Sequence, residues 1–426
     1  MVYLHVPFCR SFCTYCDFYS EIACRGRDAQ LFEDFTAAVC AEAFLRRDEI
    51  EATRDLNTLY IGGGTPSVLP LALLNTLINT IGLPATSRTD ENYFPNKFVG
   101  KPIFAPSSIT PAHAGAPYAE FTIEVNPEDI VEKGEAYVRG LLELGVNRVS
   151  MGVQSLDDGI LRWMNRRHDA AHARQAFRIL RDAGVKNISV DLIFGLSQLS
   201  EATLTQTLRE IVAWRPEHIS AYQLSIEEGS ALGKLVRDGR YEEASQERCA
   251  AQYQLLCEGL RAAGYSHYEI SNWARPGFEA IHNSAYWTRH PYVGLGPGAH
   301  SFDGHIRSWN LEQLPRSSQL SPETSFGPHR CASLAVPPLT EPRVATVSGD
   351  SGCLRRGSER LSDEESVEEQ IMLGLRTARG VAEGLLDAAS AAAMLSDGRL
   401  ERLPGGRVRI PENHWFVSDD IIADLL

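Results

Sequence analysis

Cys9, Cys13 and Cys16 form a Cys-x3-Cys-x2-Cys run directly after a short β-branched stretch. Three thiols brought together on one loop make a soft donor set, which selects zinc or an iron–sulfur cluster. Spacing alone leaves both open, zinc being completed by a distant ligand such as His5. Gly62-Gly63-Gly64-Thr65-Pro66 is a second candidate, because glycines let the backbone approach a ligand closely. A ligand-free tight turn has the same composition. Glu124, Gln154, Arg166 and Asp191 add carboxylate, amide and guanidinium groups in or beside apolar stretches. Each has a plain alternative: Glu124 satisfying buried backbone, Arg166 a solvated helix charge, Asp191 capping a turn. Between Tyr268 and His300 the chain is dense in aromatics and glycines and carries His282-Asn283-Ser-Ala-Tyr286-Trp287. On residue types alone this segment reads as a satisfied histidine with aromatic packing on a strand.

The elements that must position these groups follow from hydrophobic pattern. Short β-branched runs at 2–6, 58–61, 121–125, 148–153, 188–194 and 219–224 are each followed by a helical stretch. Repeated strand-then-helix order predicts a parallel sheet wrapped by helices. In such barrels the C-terminal strand ends carry the site, so polar groups closing successive strands converge there. Two stretches, 84–118 and about 311–360, are rich in Pro, Ser, Thr and Ala and lack periodicity, a composition that favours disordered insertions. Helical patterns around 366–379 and 381–395, then a wing at 400–410, predict a small, mainly helical C-terminal domain. The expected division is a core at 1–225, an extension at 226–310, the insertion at 311–360 and the C-terminal domain at 361–426.

Composition sets the bounds. Hydrophobic residues at 43% and charged residues at 23% describe an ordinary soluble protein, without an apolar run of about 18 residues or more to span a membrane. A net charge of −14 argues against general nucleic-acid binding, which needs a basic face. Nine cysteines is an odd number, and the six outside the run lack the close, even spacing of a disulfide framework, so a reducing cytoplasm is expected. The opening MVYLHVPFCR lacks the pattern of a secretory signal and is expected to be mature protein.

The run Tyr3-Leu-His5-Val-Pro7-Phe8-Cys9, continued by Cys13-x2-Cys16-Asp17-Phe18, resembles the start of the radical S-adenosylmethionine (SAM) family of anaerobic coproporphyrinogen III oxidases and haem chaperones. Further motifs follow in order: the Gly62–Pro66 run, Glu124-Val-Asn-Pro, Met-Gly-Val-Gln154-Ser, Asn-Arg166-Arg-His and Asp191-Leu-Ile-Phe-Gly-Leu. The resemblance implies a partial parallel (β/α)6 barrel with its cofactors at the C-terminal mouth, and the C-terminal domain is expected to cover that opening. It implies that Cys9, Cys13 and Cys16 bind three irons of a [4Fe–4S] cluster whose open iron chelates SAM. Reductive cleavage of SAM then yields a 5′-deoxyadenosyl radical, cofactor chemistry that the protein positions. By the same resemblance Gly63, Gly64 and Thr65 cradle the SAM amino group, Tyr3 and Tyr15 flank the adenosine, and Glu124 contacts the cluster-bound molecule. Gln154, Arg166 and Asp191 match positions that hold a second SAM in the oxidases.

His282, Asn283, Tyr286 and Trp287 match the His-Asn-x-x-Tyr-Trp signature of the haem chaperone branch, which implies a haem site with His282 as axial ligand. The oxidases carry a fourth cysteine two residues after the third, where this chain has Phe18, and an N-terminal extension ahead of the first strand. Both differences favour a haem carrier, with haem or a porphyrinogen, a recipient apoprotein and an electron donor as partners. The alternatives are oxidative decarboxylation of coproporphyrinogen III and, from another class, a zinc-stabilised binding module.

Overall fold

The computed structural model describes residues 1–23, 28–82, 118–314 and 356–426. The expected insertion at 84–118 lies outside these residues except for Tyr118, and that at 311–360 except for its ends. Six strands, β1 (Val2–Val6), β2 (Thr58–Gly63), β3 (Glu120–Val125), β4 (Arg148–Gln154), β5 (Ile188–Phe194) and β6 (His218–Gln223), pair in parallel in chain order. Two antiparallel strands, β7 (Ser266–Glu269) and β8 (Asn272–Ala274), extend the sheet beyond β6. A seventh parallel strand, β9 (Val293–Leu295), lies outside β1 and was not expected from sequence. The nine-stranded order leaves β9 and β7 as open edges, so the barrel is partial, as expected.

Alternation along the strands explains the architecture. Leu4, Val6, Leu59, Ile61, Phe121, Ile123, Val149, Met151, Val190 and Leu192 are buried in one continuous core, consistent with helices covering that face. The intervening residues are polar: Tyr3 and His5 on β1, Thr58 and Tyr60 on β2, Thr122 and Glu124 on β3, Arg148 and Ser150 on β4, Asp191 on β5, His218 and Ser220 on β6. Their hydrogen bonds run from strand to strand, Tyr60 to Glu124 at 2.7 Å and Ser150 to Asp191 at 3.1 Å, so the concave face is a polar lumen. Buried polar groups must be paired, and most of these are.

The remaining strands pack outside. His300–Phe302, Ile306–Asn310 and Arg356–Arg360 form an antiparallel sheet, so residues 356–360 belong with the 300–310 segment and not with the insertion. At 400–410 the strands Glu401–Leu403 and Arg407–Arg409 form a wing, joined by Val381–Ala382, a strand where a helix over 381–395 was expected. Helices Asp363–Leu375, opened by a Ser362/Glu365 capping box, and Ala388–Asp397 complete this C-terminal part. Its contacts run to the β7–β8 edge, where Arg376 O accepts from Ile270 N and Trp415 meets His267, and to Arg289 through Glu369. Among the described residues these contacts hold the C-terminal part to that edge of the sheet. No helix among the described residues is long and apolar enough to cross a membrane.

Candidate functional site

The cysteine loop leaves the C-terminal end of β1. Phe8–Cys9 bridges in parallel to Glu21–Ile22, and Phe8 anchors the loop by packing on Phe32 and Phe35 at 4.8 and 5.1 Å. The middle of the loop is pinned from across the barrel mouth. Thr14 N and Oγ1 donate to Met164 O and Trp163 O at 3.0 and 2.9 Å, and Asn165 Nδ2 donates to Phe12 O at 2.7 Å. All three cysteines are free and partly buried. Burial pushes the Cys9 thiol up and that of Cys16 up to about 11. Such thiols stay protonated until a metal's charge neutralises them. The ring nitrogens of His5, the expected completing ligand of the zinc reading, are already engaged by Tyr3 OH at 3.0 Å and Tyr19 O at 2.9 Å.

Behind the thiols an arc of hydrogen bonds joins Cys9 to Cys13. Thr65 Oγ1 lies 3.6 Å from Cys9 Sγ and accepts from Asn126 Nδ2 at 3.0 Å. Asn126 Oδ1 accepts from Arg166 Nη2, and Arg166 Nη1 donates to Cys13 Sγ at 3.4 Å. The Arg166 Nε is buried without a hydrogen-bond partner, an unsatisfied donor on a half-buried side chain. Gly152 makes this convergence possible: a Cβ there would lie 2.8 Å from Gln154 Nε2 and 3.4 Å from both Arg166 Nη2 and Asn126 Oδ1. Gln154 adopts a left-handed backbone at φ 63° where the β4–β5 register slips, a costly conformation for a side-chain-bearing residue.

The glycine run closes the neighbouring wall. Gly63 has φ 108°, and a Cβ on it would meet the His5 ring at 2.6 Å, while one on Gly64 would meet Phe8 O at 2.8 Å. Gly63 N donates to Glu124 Oε2 at 3.1 Å, with Tyr60 OH on the other oxygen. Burial, reinforced by the charge of Asp191, pushes Glu124 up to about 7. Tyr15 sits beside Cys13 and Arg166, its phenol pushed up by burial, and Tyr3 faces the lumen near Tyr60. Asp191 lies mid-strand, below the mouth, accepting from Ser150 and Ser189. Thus Cys9 meets Thr65 and Cys13 meets Arg166, Asn126 joins the two pairs with Gln154 beside them, Glu124 joins through Gly63, and Asp191 is one layer removed.

His282 and its neighbours lie elsewhere. Residues Ile281–Trp287 form a helix, not a strand, with backbone N–H groups of Ile281 and His282 donating to Glu120 at the start of β3. His282 is 1% exposed, its Nδ1 bonded to Thr58 Oγ1 at 2.9 Å and its Nε2 to Tyr286 OH at 3.1 Å. Desolvation holds this imidazole neutral, down to about 3. As arranged it is a satisfied core histidine at the foot of the barrel, with no ring nitrogen open to an iron. Asn283 and Trp287, four residues apart, form the half-buried neighbouring face of the same helix.

Asn126 and Arg148 were missed from sequence. Asn126 sits in the Glu-Val-Asn-Pro motif, and its amide joins two arms of the site. Arg148 is buried in the lumen with Nε and Nη1 unpaired, and the period-2 row Arg148, Ser150, Gly152, Gln154 was the signal for it.

A parallel half-barrel with a three-thiol loop after its first strand and a glycine wall after its second defines a radical SAM protein. The sequence profile of the radical SAM superfamily matches residues 3–211. The chain belongs to the HemW haem chaperone family: it is 30% identical to heme chaperone HemW of Bacillus subtilis over 89% of this chain and 84% of that one. It is also 30% identical to heme chaperone HemW of Mycobacterium tuberculosis, over 100% of this chain and 94% of that one. Among solved structures, coproporphyrinogen III oxidase (HemN) from Escherichia coli shares the fold, with TM-score 0.68 over 99% of this chain and 89% of that chain at 18% identity. Membership of the superfamily implies a [4Fe–4S] cluster and SAM.

Proposed function

We propose that this chain is a cluster-bearing haem carrier that passes haem to a recipient apoprotein, with Cys9, Cys13 and Cys16 as the cluster ligands. Full-length similarity to the HemW chaperones carries this reading. The donor chemistry fits the cofactors: three partly buried thiols suit a cluster, and the open Nε of Arg166 suits an anionic group such as the SAM carboxylate. When bound, the cluster supplies the electron that cleaves SAM. The chain's own residues do the rest: Gly63, Gly64 and Thr65 leave room for the SAM amino group beside Glu124, and Tyr15 and Tyr3 border the adenosine side. Gln154, Arg166 and Asp191 bound the volume in which a second SAM would sit.

Haem meets the molecule on the Asn283–Trp287 face, while His282 and Tyr286 hold that helix on the barrel. The test is anaerobic haem titration of the cluster-loaded protein followed by transfer to an apo-haemoprotein. Saturable binding with transfer is expected; failure to bind haem refutes the carrier role. The second reading, coproporphyrinogen III oxidation, has the shared HemN fold in its favour. Against it stands Phe18, two-thirds exposed at 67%, where the oxidases carry a fourth cysteine.

A further inference from the structure

Far from the cysteine loop, three donors from three separate segments converge. Cys257 lies on the helix Gln246–Ala262, His267 on β7, and Glu412 opens the 3-10 helix Glu412–Val417 of the C-terminal part. Their ligand atoms all lie within 4.8 Å of one another. Cys257 Sγ is 4.0 Å and Glu412 Oε1 3.0 Å from the same imidazole nitrogen, Nδ1 of His267. A hydrogen-bonded relay would place its two ends on opposite ring nitrogens, whereas two donors sharing one nitrogen's lone-pair side surround a common point. Bond lengths to zinc of about 2.3 Å for sulfur and about 2.0 Å for nitrogen and oxygen put tetrahedral ligand atoms about 3.3–3.6 Å apart. Shifts of a few tenths of an ångström bring the two measured separations to those values.

The surroundings are those of a built site. The other nitrogen of His267, Nε2, faces Ile270 O at 3.4 Å, the outward hydrogen bond that fixes a ligating histidine's tautomer. The other oxygen of Glu412 accepts from Arg261 Nη2 at 2.6 Å. Trp273 stacks on the imidazole at 4.0 Å and 14°, and Trp415 meets it edge-on at 4.3 Å, so the ring cannot turn. Cys257 is buried and the Glu412 side chain is 30% exposed, which leaves a solvent path for a fourth, water ligand.

We propose that Cys257, His267 and Glu412 bind a zinc ion that clamps the C-terminal part of the chain to the edge of the barrel sheet. Thiolate, imidazole and carboxylate together match zinc, and the clamp joins segments about 150 residues apart that otherwise share ion pairs and ring contacts.

The test uses the full chain with its iron–sulfur cluster reconstituted, so that the loop cysteines are occupied. One equivalent of zinc is added, the protein is desalted, and zinc and iron are measured together. About one zinc per chain is expected in addition to the cluster iron, with a higher Tm in its presence. Cys257→Ala should lose the zinc and keep the iron. Glu412→Gln, a change at a partly exposed group that spares the core, should weaken zinc at least about tenfold and serves if Cys257→Ala fails to fold. No retained zinc, or zinc retained equally by Glu412→Gln and any folded Cys257→Ala, overturns the proposal and leaves an ion pair beside a buried thiol.

Discussion

The His282 segment at the foot of the barrel and the cysteine loop at its mouth are built from similar residue types but differ in how completely their polar atoms are satisfied, with Arg148, whose Nε and Nη1 are unpaired, the exception at the foot. At the foot, His282 uses both ring nitrogens, and Glu120 takes two backbone N–H groups. At the mouth, Arg166 keeps an unpaired buried Nε, Gln154 bears backbone strain, and three thiols remain free. The contrast separates two motifs that sequence presents as equally functional.

The comparison breaks first at the thiols. Cys13→Ser is expected to abolish stable cluster assembly, read as loss of brown colour and iron content, while circular dichroism stays native. An unchanged iron content would remove Cys13 from the ligand set.

The foot is tested next. His282→Ala should destabilise the fold by about 2–4 kcal/mol in chemical denaturation, because it leaves a buried cavity and unpaired Thr58. Trp287→Ala, on the half-buried face, should leave stability within about 1 kcal/mol and weaken haem roughly tenfold. The reverse pattern, a stable His282→Ala that has lost haem, would restore an axial role to the histidine.

Acid–base behaviour sharpens the contrast, because the two regions act with opposite sign. His282 is held neutral down to about 3, so the unfolded chain binds the extra proton between about pH 3 and its ordinary 6.5. Stability from this group falls as pH falls through that window. Glu124 is held protonated up to about 7, so its contribution is full below the ordinary 4.5 and is lost as pH rises toward 7. Each slope is at most about 1.4 kcal/mol per pH unit. Glu124→Gln should therefore make stability rise more steeply with pH between about 4.5 and 7, and His282→Gln should flatten it. Identical profiles in wild type and both variants would contradict these assignments.

The smallest effect concerns the arc behind the thiols. Hydrogen bonds to cluster sulfur stabilise the more negative, reduced state. Asn126→Ala frees Thr65 and Arg166, so the cluster midpoint potential should fall by about 20–60 mV, the equivalent of roughly one hydrogen bond in a one-electron couple. An unchanged potential by spectroelectrochemical titration would make Asn126 purely structural.

Much of this contrast was legible in the residues, and the remainder was hidden for physical reasons. The six parallel strands read through because each alternates apolar and polar groups over five to seven residues. β9 did not, since Val293–Leu295 is three residues long beside a glycine run that mimics a loop. The His282 segment favours a strand by its aromatic content, and seven residues are too few to show helical period. The cysteine loop, glycine run and Arg166 stood out by type and spacing. Asn126 and Arg148 did not, because a single amide or guanidinium gains meaning only from the neighbours that folding supplies.

The most direct test of the central claim sets the cluster-loaded protein, with SAM and a reductant, against coproporphyrinogen III and reads protoporphyrin fluorescence after mild oxidation of the products. The account predicts SAM cleavage with no protoporphyrin above a Cys13→Ser control, from a preparation that binds haem. Protoporphyrin formation above that control would contradict it and make the chain a working oxidase.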